Sequence, residues 1–146
     1  MFLGSYNYTV DAKGRVAIPA KLRKYVTPEA NNTFIVTRGA GKYIDVYPMD
    51  YWKELTEEKL DSLNSFNPKD MLFLRMFLEH AIEETLDGQS RLLLPKSLIQ
   101  HAEIEKDVLI LGAVKKIEIW NPAVYEAYIE NSSASYEEIA AEVMKK

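Results

Sequence analysis

An α+β fold made of two copies of one β-hairpin/helix unit, related by a pseudo-two-fold axis, is what this 146-residue sequence predicts. Three observations lead there. The phrase Asp-x3-Arg-x3-Pro occurs twice, as DAKGRVAIP from Asp11 and DGQSRLLLP from Asp87. The segments around each phrase alternate apolar with polar residues and are rich in β formers. Pro19, Pro48, Pro95 and Pro122 each precede a stretch with helical spacing, where the fixed φ of proline favours a helix start.

The repeat extends beyond the phrase. A shift of 76 residues superposes Val10 on Leu86, Arg15 on Arg91, Pro19 on Pro95 and Leu22 on Leu98. A shift of 73 then superposes Gly39 on Gly112, Ile44 on Ile117, Asp45 on Glu118 and Tyr47 on Trp120, the loop AEIEKDV being shorter than TPEANNTF. The units are therefore 5–51 and 80–124, with connecting helices in 52–79 and a helical tail in 125–146. A solenoid needs at least three repeats, so two copies pair instead.

In chain order, SYNYTV predicts a strand, DAKG a type I turn with Asp11 accepting backbone N–H groups and Gly14 at positive φ, and RVAI the returning strand. PAKLRKYV predicts a short helix, and TFIVTR with YIDVY a strand pair around GAGK. MDYWKELTEEKLDSL predicts the next helix. In NPKDMLFLRMFLEHA, Met71, Leu74, Leu78 and Ala81 fall at helical spacing and predict a buried connecting helix. AIEETL, RLLL, the Pro95 helix, DVLILGA, KIEIW and the Pro122 helix repeat the pattern. Ser135 and Glu138 have capping-box spacing at the head of a solvated tail helix.

Composition narrows the function. With 47% hydrophobic and 27% charged residues the chain can bury a core. No apolar run approaches the ~18–20 residues of a membrane helix, and the opening MFLGSYNYTVD lacks the basic flank and apolar stretch of a signal peptide. With no cysteine there is no disulfide or thiolate metal site, and a cytoplasmic location is expected. The net charge of −4 is unevenly spread. Residues 11–24 set Lys13, Arg15, Lys21, Arg23 and Lys24 against Asp11, a local +4, whereas residues 87–100 set Arg91 and Lys96 against Asp87.

Three readings of the Asp-Arg turns compete. In the structural one, each Asp caps its turn and pairs with its Arg, a duplicated gene having left duplicated letters. Exposed ion pairs contribute only ~0–1 kcal/mol. In the enzymatic one, Asp11 and Asp87 share a proton as paired carboxylates can, but Lys13 and Arg15 beside Asp11 would hold it ionised. His80 and His101 have no partner at metal or triad spacing, RGAGK lacks the P-loop pattern, and no cofactor or metal is expected. In the third, a turn displaying Lys13 and Arg15 beside a helix bearing Lys21, Arg23 and Lys24 reads double-stranded DNA. A β-ribbon fits the major groove, and Arg can bond guanine O6 and N7 together. No aromatics interleave the cluster, which disfavours single strands.

Taken as a whole, from MFLGSYNYTVDAKGRVAIPAKLR to DGQSRLLLP and in the spacing between them, the sequence resembles the MraZ family of the SpoVT/AbrB-like superfamily. The resemblance implies two AbrB-like units forming a small β-barrel flanked by helices. It implies ring-shaped homo-oligomers, octamers being typical, and a nucleoid-associated transcription regulator rather than an enzyme. The regulator would act, as a repressor, on repeated boxes in the promoter of a division and cell-wall gene cluster that includes its own gene. By the same resemblance Asp11, Lys13, Gly14 and Arg15, with Asp87 and Arg91, form the DNA-contact surface. The second copy has GQS in place of AKG, so the first is expected to dominate, reinforced by the basic helix that follows it. The alternative is an antitoxin or protein-interaction module, as some AbrB-like folds are.

Overall fold

In a computed structural model that describes residues 1–145, the duplicated segments interleave rather than stand side by side. Strands are β1 (Ser5–Thr9), β2 (Arg15–Ala17), β3 (Thr33–Arg38), β4 (Ile44–Pro48), β5 (Ile82–Thr85), β6 (Arg91–Leu93), β7 (Asp107–Ala113) and β8 (Lys116–Trp120). Helices are α1 (Ala20–Arg23), α2 (Met49–Leu55), α3 (Pro68–Leu78), α4 (Lys96–His101), α5 (Pro122–Glu130) and α6 (Tyr136–Val143).

The hairpins expected around the two Asp-Arg turns do not form, whereas the pairs expected around GAGK and between DVLILGA and KIEIW do, as β3–β4 and β7–β8. β1 pairs with β7, β5 pairs with β3, and β2 pairs with β6, so each of the four strands flanking a turn finds its partner in the opposite copy. The turn still closes, through Asp11 N–H to Arg15 O at 2.9 Å and Gly14 N–H to Asp11 O at 3.0 Å, but the strands diverge beyond it. The physical reason lies in the apolar triplets. Val16, Ile18, Leu92 and Leu94 are all buried, and pairing β2 with β6 brings them together at the centre of one core with Phe34, Ile110 and Ile119. Separate hairpins would give each half too little apolar surface to cover them.

The pseudo-two-fold axis is written in the strand order. The large sheet runs β1-β7-β8-β4-β3-β5, which reads the same when the copies are exchanged. The axis passes between Val16 and Leu92 in one sheet and between Asp45 and Glu118 in the other, both pairs being equivalent in the repeat and opposite in register. The barrel implied by the resemblance is not closed: β1 and β5 remain edges of the six-stranded sheet, and β2-β6 is a separate ribbon.

The helices depart from expectation in detail. Pro19, Pro48 and Pro95 occupy N-cap positions with φ of −53°, −56° and −60°, one residue earlier than predicted, whereas Pro122 is the first helical residue behind the Asn121 cap. The first helix is one turn, and the one after Pro48 passes into a π-helical turn at Thr56–Leu60. The connecting helix is not buried. Met71, Leu74 and Phe77 lean inward half-covered, Leu78 is exposed, and Ala81 lies beyond the helix end. Its contact runs through Phe77, 5.6 Å from the Trp52 ring. Ser135 caps α6 by accepting the Glu138 N–H at 3.2 Å.

Candidate nucleic-acid interface

Each turn is organised by its aspartate. Asp11 Oδ1 accepts the N–H groups of Lys13 and Arg15, both at 2.9 Å, while Oδ2 receives Arg15 Nε at 2.8 Å. Asp87 repeats the pattern with Gln89, Arg91 and Arg91 Nε at the same three distances. An Asx-type turn of this kind fixes the backbone with the side chain that also aims the arginine. Because the carboxylate takes Nε, the outer edge of the guanidinium faces away from it. The backbone N–H of Arg15 holds the Asp11 carboxyl below the usual range, with the Arg15 side chain and the Lys13 N–H adding to the effect. The N–H of Arg91 does the same for Asp87, helped by Gln89. Both groups are held as carboxylates, chiefly by the backbone N–H groups they accept and only secondarily by the neighbouring arginine charge.

The fold sets the two turns beside each other. Leu94 N–H donates to Gly14 O at 2.8 Å and Ile18 N–H to Ser90 O at 3.0 Å, a reciprocal exchange across the axis. Arg91 Nη1 lies 3.9 Å from Asp11 Oδ2, so one arginine bridges both aspartates. Gly14 is buried at φ +85°, and a Cβ there would come 3.0 Å from Leu94 O. Its role is to shape the turn, and it is not open to a ligand. Ser90 holds the matching place at φ 59° despite its side chain.

The basic helix lies elsewhere than chain order suggests. Arg23 and Lys24 of the first copy line a cleft of about 320 Å3 with Asp87 and Ser90, so α1 flanks the second turn. Ile99 of α4 correspondingly approaches Gly14. The swapped strands thereby give the second turn the cations its own copy lacks. Arg23 Nε donates to Ile18 O at 3.0 Å, tying α1 to the ribbon, while Lys13, Lys21 and Lys24 are exposed.

A second polar cluster escaped the reading of the sequence. On the outward face of the large sheet, Asp45 is buried and receives Lys116 Nζ and the Tyr47 hydroxyl, and Lys116 also pairs with Glu118 at 3.1 Å. Burial opposes the Lys116 charge, but its bonds to Asp45 and Glu118 outweigh it and raise the ammonium above its usual value. The alternation Tyr-x-Asp-x-Tyr over residues 43–47, facing Lys-x-Glu-x-Trp over 116–120, was the available signal. His101 Nε2 sits 2.8 Å from Gly41 O at the rim. No group of three metal-ligating side chains occurs among the described residues, and no described helix is long and apolar enough to cross a membrane.

Comparison with known proteins gives this geometry a lineage. The family model described as "MraZ protein, putative antitoxin-like" matches residues 1–76 and again 77–146. The chain is 42% identical to the "Transcriptional regulator MraZ" of Caldanaerobacter subterraneus subsp. tengcongensis, over 96% of this chain and 94% of that one. It is 40% identical to the protein of the same name from Carboxydothermus hydrogenoformans, over 99% and 97%, and 42% identical to that of Syntrophomonas wolfei, over 96% and 94%. This is not an enzyme family. With both halves matched and near-complete relatives at this identity, the chain belongs to the MraZ family.

Proposed function

We infer that this chain is a DNA-binding transcriptional regulator that reads double-stranded DNA through its paired Asp-x-x-x-Arg turns. The observation that carries this reading is the juxtaposition of the two turns, each with an aspartate gripping Nε and turning the outer guanidinium edge away from itself. A fork fixed in this way suits the guanine edge in the major groove. Lys13, Lys21 and Lys24 supply phosphate contacts, which position a protein without reading sequence. Asp11 and Asp87 orient the forks and, as carboxylates, do not themselves approach phosphate. Arg23 holds α1 in place.

One pair of turns on a chain of net charge −4 binds weakly. A closed homo-oligomeric ring repeats the pair, and tethering raises effective concentration enough to add ~10²–10⁴ in avidity. Direct repeats spaced by one helical turn, ~10–10.5 bp, would present successive boxes to successive subunits on one face of the duplex. Occupancy of the promoter upstream of its own gene and of the division and cell-wall genes then excludes polymerase, which is repression.

The test is a binding titration of the purified chain against the DNA upstream of its own gene and against a scrambled duplex, across a salt series. Preference for the upstream DNA, with affinity falling steeply as salt rises, is the expected result. Failure to bind at low salt removes the reading.

A further inference from the structure

The C-terminal helix α6 turns an apolar stripe to solvent. Tyr136, Ile139 and Val143 repeat at helical spacing with Met144 at the end, and their exposures run from 41% to 82%. Helices this short are not stable alone in water, since nucleation is unfavourable and packing of an apolar face supplies most helical stability. The Ser135 cap contributes too little to change that. An eight-residue helix with such a stripe therefore needs a surface to lie on.

A matching surface exists on the outward face of the large sheet. A hollow of about 560 Å3 is walled by Tyr43, Tyr47, Phe73, Met76 and Phe77. It adjoins one of about 360 Å3 that shares Tyr43 and ends against Tyr128 of α5. It adjoins another of about 320 Å3 that shares Tyr47 and Lys116. Sharing these residues, the three hollows form a groove that runs from α3 to α5 through Tyr43 and extends to α2 through Tyr47 and Lys116. Its α3 wall is apolar and uncovered, with Phe73 and Met76 about half exposed. No α6 residue of the same chain lines it.

Charge favours the match. α6 carries Glu137, Glu138 and Glu142 and no cation. The groove is lined by Arg38, Lys42, Lys115 and Lys116 against Asp45 alone. Three of these cations have only exposed carboxylate partners: Arg38, which also donates to Met76 O at 3.1 Å, faces Glu79 at 3.9 Å, Lys42 faces Glu103 at 2.9 Å and Lys115 faces Glu54 at 3.8 Å. Solvent-exposed pairs of this kind exchange at little cost.

We propose that α6 of one copy docks in the aromatic groove of a neighbouring copy, as the contact that joins subunits. The contact is heterologous, tail to groove, so it propagates from copy to copy and closes into a ring when the rotation allows. It rests on the oligomeric part of the reading above and adds the surfaces that make it. The DNA-reading turns lie on the separate β2-β6 ribbon, so assembly leaves them free.

Three variants test it by light scattering at micromolar concentration, with circular dichroism as the check on folding. The first ends at Asn131. The second is Ile139→Asp with Val143→Asp, and the third is Met76→Glu on the groove wall; all three sites are exposed in the single chain. Each variant is expected to stay folded and to fall to monomer mass. Mixing the truncated chain, whose groove is intact, with the Met76→Glu chain, whose tail is intact, should yield a one-to-one heterodimer and nothing larger. Retention of the full oligomer mass by the truncated chain and by Ile139→Asp/Val143→Asp overturns the tail-in-groove contact while leaving oligomerisation standing. A wild-type chain that is itself monomeric, whether α6 is free, folded back on its own groove or reserved for a different protein, overturns both. If a groove substitution disturbs the fold, the truncated chain and the tail variant decide the matter, since the apolar stripe of α6 is exposed in its own chain.

Discussion

Arg91 Nη1 lies 3.9 Å from the same Asp11 Oδ2 that receives Arg15 Nε at 2.8 Å. The reverse contact, from Arg15 to Asp87, is not found within 4.0 Å among the described residues. The pseudo-two-fold symmetry is thus broken where the two turns meet. Arg91 is restrained by two carboxylates and Arg15 by one, which leaves the Arg15 fork freer to take a base.

Arg15→Ala is therefore expected to weaken binding to specific DNA more than Arg91→Ala, by ~1–3 kcal/mol per lost base contact, with relaxed specificity. Lys13→Ala should act evenly on specific and scrambled duplexes. Titration of the three variants checks the ranking, with oligomer mass followed in parallel. The ranking no longer leans on the basic helix, because Arg23 and Lys24 flank the second turn.

Asp11→Asn should reduce DNA affinity more than Asp87→Asn, since Asp11 touches both arginines. Acid makes the same point. Both carboxyls are held below their ordinary value, so the order they confer is fully present above about pH 4 and is lost as pH falls through their lower folded values. Binding measured from pH 8 to pH 5 should show no loss from these two groups. A decline centred between pH 5 and 6 would contradict the assignment.

Gly14→Ala should destabilise the fold. The residue sits at φ +85°, and its new Cβ would press on Leu94 O. The left-handed conformation alone costs about 1–2 kcal/mol for an L residue. Ser90→Gly, at φ 59°, should change stability little, strain relief offsetting the added freedom of the unfolded chain. Urea unfolding of both variants is the measurement.

Lys116→Met leaves Asp45 buried beside Glu118 without its cation, and should cost about 3 kcal/mol. Adding Asp45→Asn should recover much of that loss, because the cost is that of an unpaired buried charge. Equal losses in the single and double variants would show that the pair only packs.

The elements and their duplication were legible because they are local: strand alternation, Asp and Gly at fixed turn positions, proline at helix starts. The pairing of the strands around the Asp-Arg turns was not, although that of β3 with β4 was. A turn and two flanking strands look like a hairpin whether the strands pair with each other or across a pseudo-dyad, and Val16 with Leu92 decides it only once both copies share a core. The same exchange moved α1 to the second turn, which chain order could not reveal. The exposed face of α3 was misjudged because helical spacing reports that a stripe is apolar, not that it is covered. The Asp-Arg turns were legible residue by residue, and the Arg91–Asp11 bridge between them was not.

The most direct test of the account is a salt-series titration of upstream promoter DNA with the wild-type chain and with Arg15→Ala/Arg91→Ala, fold and oligomer mass being matched. Removing both forks should abolish discrimination between promoter and scrambled DNA while leaving a weak, salt-sensitive affinity from Lys13, Lys21 and Lys24. A double variant that still prefers promoter DNA as strongly as the wild type would contradict the claim that the paired turns read the sequence.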